Sequence, residues 1–147
     1  LEKFYCPTIG DIHEAALKIV SFASTDKIWV FKGDLGAGKT TLIREIAKIY
    51  GVKDRVNSPT FSLVNEYQNP HNEKFYHFDF YRLENPVEVL EIGIDEYFYS
   101  GKLCWIEWAE KIAAYIPEDF ILIQIQVDES GGRTITLNRV INGKANG

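Results

Sequence analysis

Gly33-Asp34-Leu35-Gly36-Ala37-Gly38-Lys39-Thr40 fits G-x-x-x-x-G-K-[ST] at every fixed position. Before it, Lys27-Ile28-Trp29-Val30-Phe31-Lys32 is a short apolar run suited to a buried strand. After it, residues 41–50 repeat apolar side chains at helical spacing, and Gly51 stands where a helix stop belongs. Strand, glycine-rich turn and helix form the context in which this motif binds phosphate. The glycines open backbone conformations that side chains forbid, so successive N–H groups can converge on phosphate oxygens at a helix start whose dipole favours anions. In such a loop Lys39 reaches the β and γ phosphates and the Thr40 hydroxyl takes Mg²⁺. A plain glycine-rich connection with a solvated lysine would need neither flanking element.

Working outward, residues 12–20 predict a first helix, with Asp11 as its cap and Glu14 three positions on. Asn57-Ser58-Pro59-Thr60 reads as a turn, residues 61–67 as a strand and residues 68–73 as a loop. The aromatic-rich, partly alternating run 74–82 predicts a partner strand, so the two form an antiparallel hairpin. Asn85-Pro86-Val87-Glu88 starts a short helix that Gly93 stops. Residues 102–107 predict an apolar strand ending in a carboxylate, residues 109–116 a helix ended by Pro117, and residues 120–127 and 133–140 a second hairpin. The expected fold is therefore α/β, with a central mixed sheet and antiparallel hairpins. One domain is expected over residues 1–141, followed by a flexible tail at 142–147.

The 147 residues are 46% hydrophobic and 25% charged, which suits one soluble domain with a real core. No apolar stretch approaches the ~20 residues that span a bilayer, no signal peptide is visible, and cytoplasmic residence is the simplest expectation. Cys6 and Cys104 belong to no C-x-x-C pair, which argues against zinc and against a disulfide framework. A formal charge of −5 without a basic cluster in the sequence argues against independent nucleic-acid binding.

A P-loop protein needs a carboxylate across from the loop for Mg²⁺, commonly at the end of a buried strand. Glu107, after Leu103-Cys104-Trp105-Ile106, meets that description; capping of the next helix is its other reading. Asp79, on a less apolar strand, is assigned to orienting or deprotonating the attacking water, against a structural pairing with Arg82 or His77. Thr60 lies where P-loop proteins keep a segment that senses the γ-phosphate, although Ser, Thr and Pro favour turns for local reasons as well. His77 reads as packed among aromatics. Trp105 and Trp108 flank Glu107, one filling core and the other lying near the site. Arg133 either faces the nucleotide or is a solvated hairpin residue.

In this order, GDLGAGKTTL, SPTF, HFDFYR and IEWAE resemble the TsaE (YjeE) family of bacterial ATPases over nearly the whole chain. The resemblance implies a small three-layer P-loop NTPase-like fold that binds ATP and Mg²⁺. It implies a role in forming N6-threonylcarbamoyladenosine at position 37 of tRNAs that read codons beginning with A. Its partners would be TsaB and TsaD, with tRNA reached only through that complex. Carried over by motif, Gly36, Ala37, Gly38, Lys39, Thr40 and Thr41 hold phosphates, Thr40 and Glu107 bind Mg²⁺, and Asp79 assists hydrolysis. Thr8 and Arg133 match regions that flank the nucleotide. Hydrolysis would be weak alone and stimulated by the partners. A small-molecule or nucleoside kinase would share the P-loop but usually needs more arginines than the five present. A GTPase is disfavoured because no N-K-x-D motif is found.

Overall fold

The computed structural model describes residues 1–59 and 62–146. Among the described residues eight strands form one sheet: β1 Glu2–Cys6, β2 Ile28–Lys32, β3 Val64–Gln68, β4 Lys74–Asp79, β5 Leu103–Glu107, β6 Phe120–Val127, β7 Arg133–Ile141 and β8 Lys144–Asn146. Their order is β1-β7-β6-β2-β5-β4-β3, with β8 also on β7. The centre is parallel, β2 lying between β5 and β6 and β4 adding to β5. The β3–β4 and β6–β7 pairs are antiparallel hairpins, as their spacing predicts. The sheet is thus mixed, within an α/β architecture.

Strand periodicity divides the core in two. In β2, Trp29 and Phe31 face one side and Ile28 and Val30 the other. Helices α1 (Ile12–Phe22) and α2 (Lys39–Ile49) cover the first side with Ala15, Ala16, Ile19, Leu42, Ile43 and Ile46. Phe75 stacks on Trp105 there at 5.3 Å and 12°, a pairing worth about 0.5–1.5 kcal/mol beyond its buried area. Short helices α3 (Glu88–Glu91) and α4 (Ile94–Phe98), with a 3-10 helix at Ala109–Tyr115, cover the second side through Val89, Ile94, Phe98 and Ile112. Among the described residues no helix is long and apolar enough to cross a membrane. Cys6 and Cys104 are free and buried, and burial pushes the Cys104 thiol up to about 12.

Several local expectations change. Residues 2–6, unassigned from sequence, form β1 on the edge of β7. The run expected as a flexible tail turns at Asn142-Gly143, with φ of 54° and 77°, and pairs back onto β7 as β8. Positive φ at both positions is what a two-residue hairpin turn of type I′ requires, and Asn-Gly supplies it. Gly93 does not simply stop a helix: at φ 70° it caps the start of α4. The helix expected at 109–116 is 3-10, with a non-helical break at Ile112. Asp11 does not cap α1 with its side chain; its carboxylate accepts from the Thr8 hydroxyl at 2.8 Å and the Thr8 N–H at 3.0 Å.

Candidate functional site

The P-loop runs from the end of β2 into α2, between the carboxyl ends of β5 and β6. Gly36 and Gly38 hold φ of 82° and 102°, and Gly38 is the left-handed cap of α2. Gly33 is required for a different reason: a Cβ there would lie 2.9 Å from the Ile125 carbonyl oxygen and 3.1 Å from Ala37 Cβ. The sequence thus lets the loop pack directly against β6.

Alternation along β4 and β5 turns Phe75, His77 and Asp79, with Leu103, Trp105 and Glu107, toward α2. The register pairs Asp79 with Glu107, so both carboxylates stand at the strand ends nearest the loop. The Thr40 hydroxyl lies 2.9 and 3.0 Å from the two Glu107 carboxylate oxygens, and Ser58 Oγ is 2.9 Å from Thr40 Oγ1. His77 Nε2 is 2.7 Å from Glu107 Oε2, and both residues are buried. His77 Nδ1 faces the Tyr67 hydroxyl at 3.5 Å. Packed among aromatics as the sequence suggests, His77 also orients the carboxylate.

Lys39 is buried, its ammonium donating to the Gly33 carbonyl and, at 3.3 Å, to the Asp34 carbonyl. It also lies 4.0 Å from the centroid of the Trp108 ring. Burial lowers its pKa, while Glu107, Glu110, Asp79 and Asp34 oppose the shift. Trp108 takes φ 60°, a strained conformation for a bulky residue, and its ring packs on Tyr81 at 4.8 Å. Of the two tryptophans beside Glu107, Trp105 fills core and Trp108 borders the loop. Asp79 accepts the Tyr81 N–H at 2.9 Å, and burial raises its pKa.

Together these side chains line a cleft of about 260 Å³ that includes Gly36 through Thr41, Ser58, Asp79 and Glu107. Arg133 reaches the loop from outside it, with Nε donating to the Ala37 carbonyl at 2.7 Å. It is therefore not a merely solvated hairpin arginine. Thr8 is not part of the cleft lining and spends its hydroxyl on Asp11. Thr60 lies outside the described residues. Sequence reasoning missed Ser58 as a site residue; its place beside Thr60 in the turn was the available signal. The donors around Thr40 are two hydroxyls and a carboxylate, the hard oxygen set that suits Mg²⁺ held with the help of substrate phosphates.

Fold and site define an α/β protein built around a P-loop, its threonine joined to a strand-end glutamate. Residues 6–135 match the family model described as threonylcarbamoyl adenosine biosynthesis protein TsaE. The chain belongs to the TsaE family. It is 38% identical over 122 residues to the tRNA threonylcarbamoyladenosine biosynthesis protein TsaE of Bacillus subtilis, covering 83% of this chain and 75% of that one. The Haemophilus influenzae protein of that description is 48% identical over 93 residues, 63% of this chain but only 58% of the relative's length. The crystal structure of YdiB from Bacillus subtilis superposes with a TM-score of 0.78 at 30% identity, covering 97% of this chain and 88% of that one.

Proposed function

We propose that this protein is a Mg²⁺-dependent ATPase of N6-threonylcarbamoyladenosine formation at tRNA position 37, acting on a TsaB–TsaD complex rather than on a small substrate. One observation carries the reading: the Thr40 hydroxyl spans both oxygens of Glu107 at the mouth of the P-loop. That pairing sets side by side the two oxygen groups that would hold Mg²⁺. Family membership supports the pathway, and the B. subtilis relative's description as a tRNA threonylcarbamoyladenosine biosynthesis protein supports the product.

The main-chain N–H groups of residues 36–41 hold the phosphates, aided by the start of α2. Lys39 exchanges its two carbonyl acceptors for phosphate oxygens, a charge-assisted contact stronger than a neutral one. Thr40 and Glu107 hold Mg²⁺, which when bound neutralises charge on the transferring group. His77 fixes the Glu107 carboxylate from behind. Asp79, with its proton affinity raised by burial, orients the attacking water and accepts its proton. Arg133 braces the loop at Ala37.

Titration calorimetry with MgATP tests the binding step. Lys39→Ala should weaken binding by about 10–150-fold, the 1.5–3 kcal/mol of a charged hydrogen bond. Purified TsaB–TsaD should then raise phosphate release, and modified tRNA should accumulate over many turnovers only with the hydrolysing protein. Absence of binding heat from the unaltered chain, or a phosphate-release rate indifferent to the complex, overturns the proposal.

A further inference from the structure

We infer that the cleft between the second half of α2 and the segment after it binds an RNA phosphate backbone, at a site separate from the P-loop. Arg44, Lys48, Lys53 and Arg55 line this cleft of about 480 Å³, against one acid, Asp54. They gather for local reasons. Arg44 and Lys48 are four positions apart on α2 and so share a face. Gly51, at φ 85°, then turns the chain, and Val52 and Val56 are buried as anchors that bring residues 53–55 back beside the helix. Arg44 Nε locks the arrangement by donating to the Val56 carbonyl at 3.0 Å. The cluster is invisible as a sequence run because Glu45 and Asp54 interrupt it and the fold brings its two halves together.

The distribution of charge selects the ligand. Lys48, Lys53 and Arg55 are exposed, and among the described residues the one ion pair within 4 Å made by any of the four joins Lys48 to Glu45, at 3.6 Å. A small-anion pocket needs converging, buried donors. Hydrated cations spread over an open cleft instead suit a polyanion, whose released counterions supply the free energy. An acidic protein surface fits less well, since protein interfaces favour aromatic and apolar anchors and deplete lysine. None of the exposed large apolar residues, such as Leu35, Tyr81 or Tyr99, falls between residues 44 and 56. Protein–nucleic acid interfaces are polar and positive, as this cleft is. The cleft reads no base edges, so its contribution is sequence-independent.

Fluorescence anisotropy of a labelled unmodified tRNA transcript, titrated with the full chain over a salt series, measures the interaction. Binding is expected with a dissociation constant on the order of 10⁻⁶–10⁻⁴ M and a falling affinity as salt rises. The double variant Lys53→Glu/Arg55→Glu should lose at least about tenfold in affinity and about two units of salt slope. Lys102→Glu/Lys144→Glu, equal in charge change but elsewhere, should lose less than threefold. Inorganic phosphate should compete only at concentrations that act as ionic strength. As a measurement needing no variant, tRNA should slow amide hydrogen exchange in residues 52–56 of the unaltered chain. The inference is overturned if the two double variants weaken alike, if tRNA leaves those amides unprotected, or if Lys53→Glu/Arg55→Glu loses docking to the TsaB–TsaD complex while RNA affinity is unchanged. None of these readouts requires ATP hydrolysis, so the P-loop reading stands or falls separately.

Discussion

Asp79 and Glu107 face each other across one pair of parallel strands, and their surroundings differ. Glu107 has Thr40 and His77 on its oxygens. Asp79 has the Tyr81 N–H, and burial raises its pKa with Glu107 repulsion adding to the shift, while the Ser58 hydroxyl and His77 lower it. A carboxyl that binds its proton more readily folded than unfolded costs stability when ionised, and acid relieves that cost. Asp79→Asn should therefore raise the unfolding temperature at neutral pH. The gain should shrink as pH falls through the raised value and vanish below the ordinary 3.8, where both states are protonated. Asp79→Ala should leave nucleotide affinity within a few-fold and lower partner-stimulated phosphate release by about 10²–10⁴-fold, the usual worth of general base catalysis. Full stimulated turnover in that variant would move the role to another side chain. Both carboxylates were legible because each ends a recognisable strand. Ser58 and the His77 contact were not, since a hydroxyl in a turn and an imidazole among aromatics carry no spacing signal.

The P-loop is built as much by its neighbours as by its glycines. Gly33→Ala keeps an allowed backbone yet drives a methyl to 2.9 Å from the Ile125 carbonyl, so β6 and the loop must part. The expected cost is about 1–3 kcal/mol in urea unfolding, accompanied by weaker MgATP binding. Stability equal to the unaltered chain would mean that the loop relaxes freely. The hairpins β3–β4 and β6–β7 and helices α1 and α2 were readable because apolar period and turn residues agree. β1 was not: Glu2-Lys3-Phe4-Tyr5-Cys6 is a short run that acquires strand form only by pairing with β7. The polar composition of residues 142–147 masked a turn signal, Asn142-Gly143, that by itself announces β8.

Both cores share the same central strands, since β2 and β5 contribute to each face of the sheet. Neither layer of helices can leave without exposing residues that alternate with those of the other. Urea unfolding should accordingly be a single transition, with tryptophan emission and far-ultraviolet circular dichroism giving the same midpoint. Separate midpoints would show that the layers come apart in turn. Long-range assembly also explains why the basic cleft escaped sequence reading: net charge averages over a surface that the fold then sorts.

Trp29 and Trp105 are sealed in one core, which leaves Trp108 as the third indole of the chain, under the Lys39 ammonium. If that cation leaves for a phosphate, as the proposed function requires, the electric field across the ring will change. Under that proposal the molecule would carry its own optical gauge of loop occupancy, readable without any label.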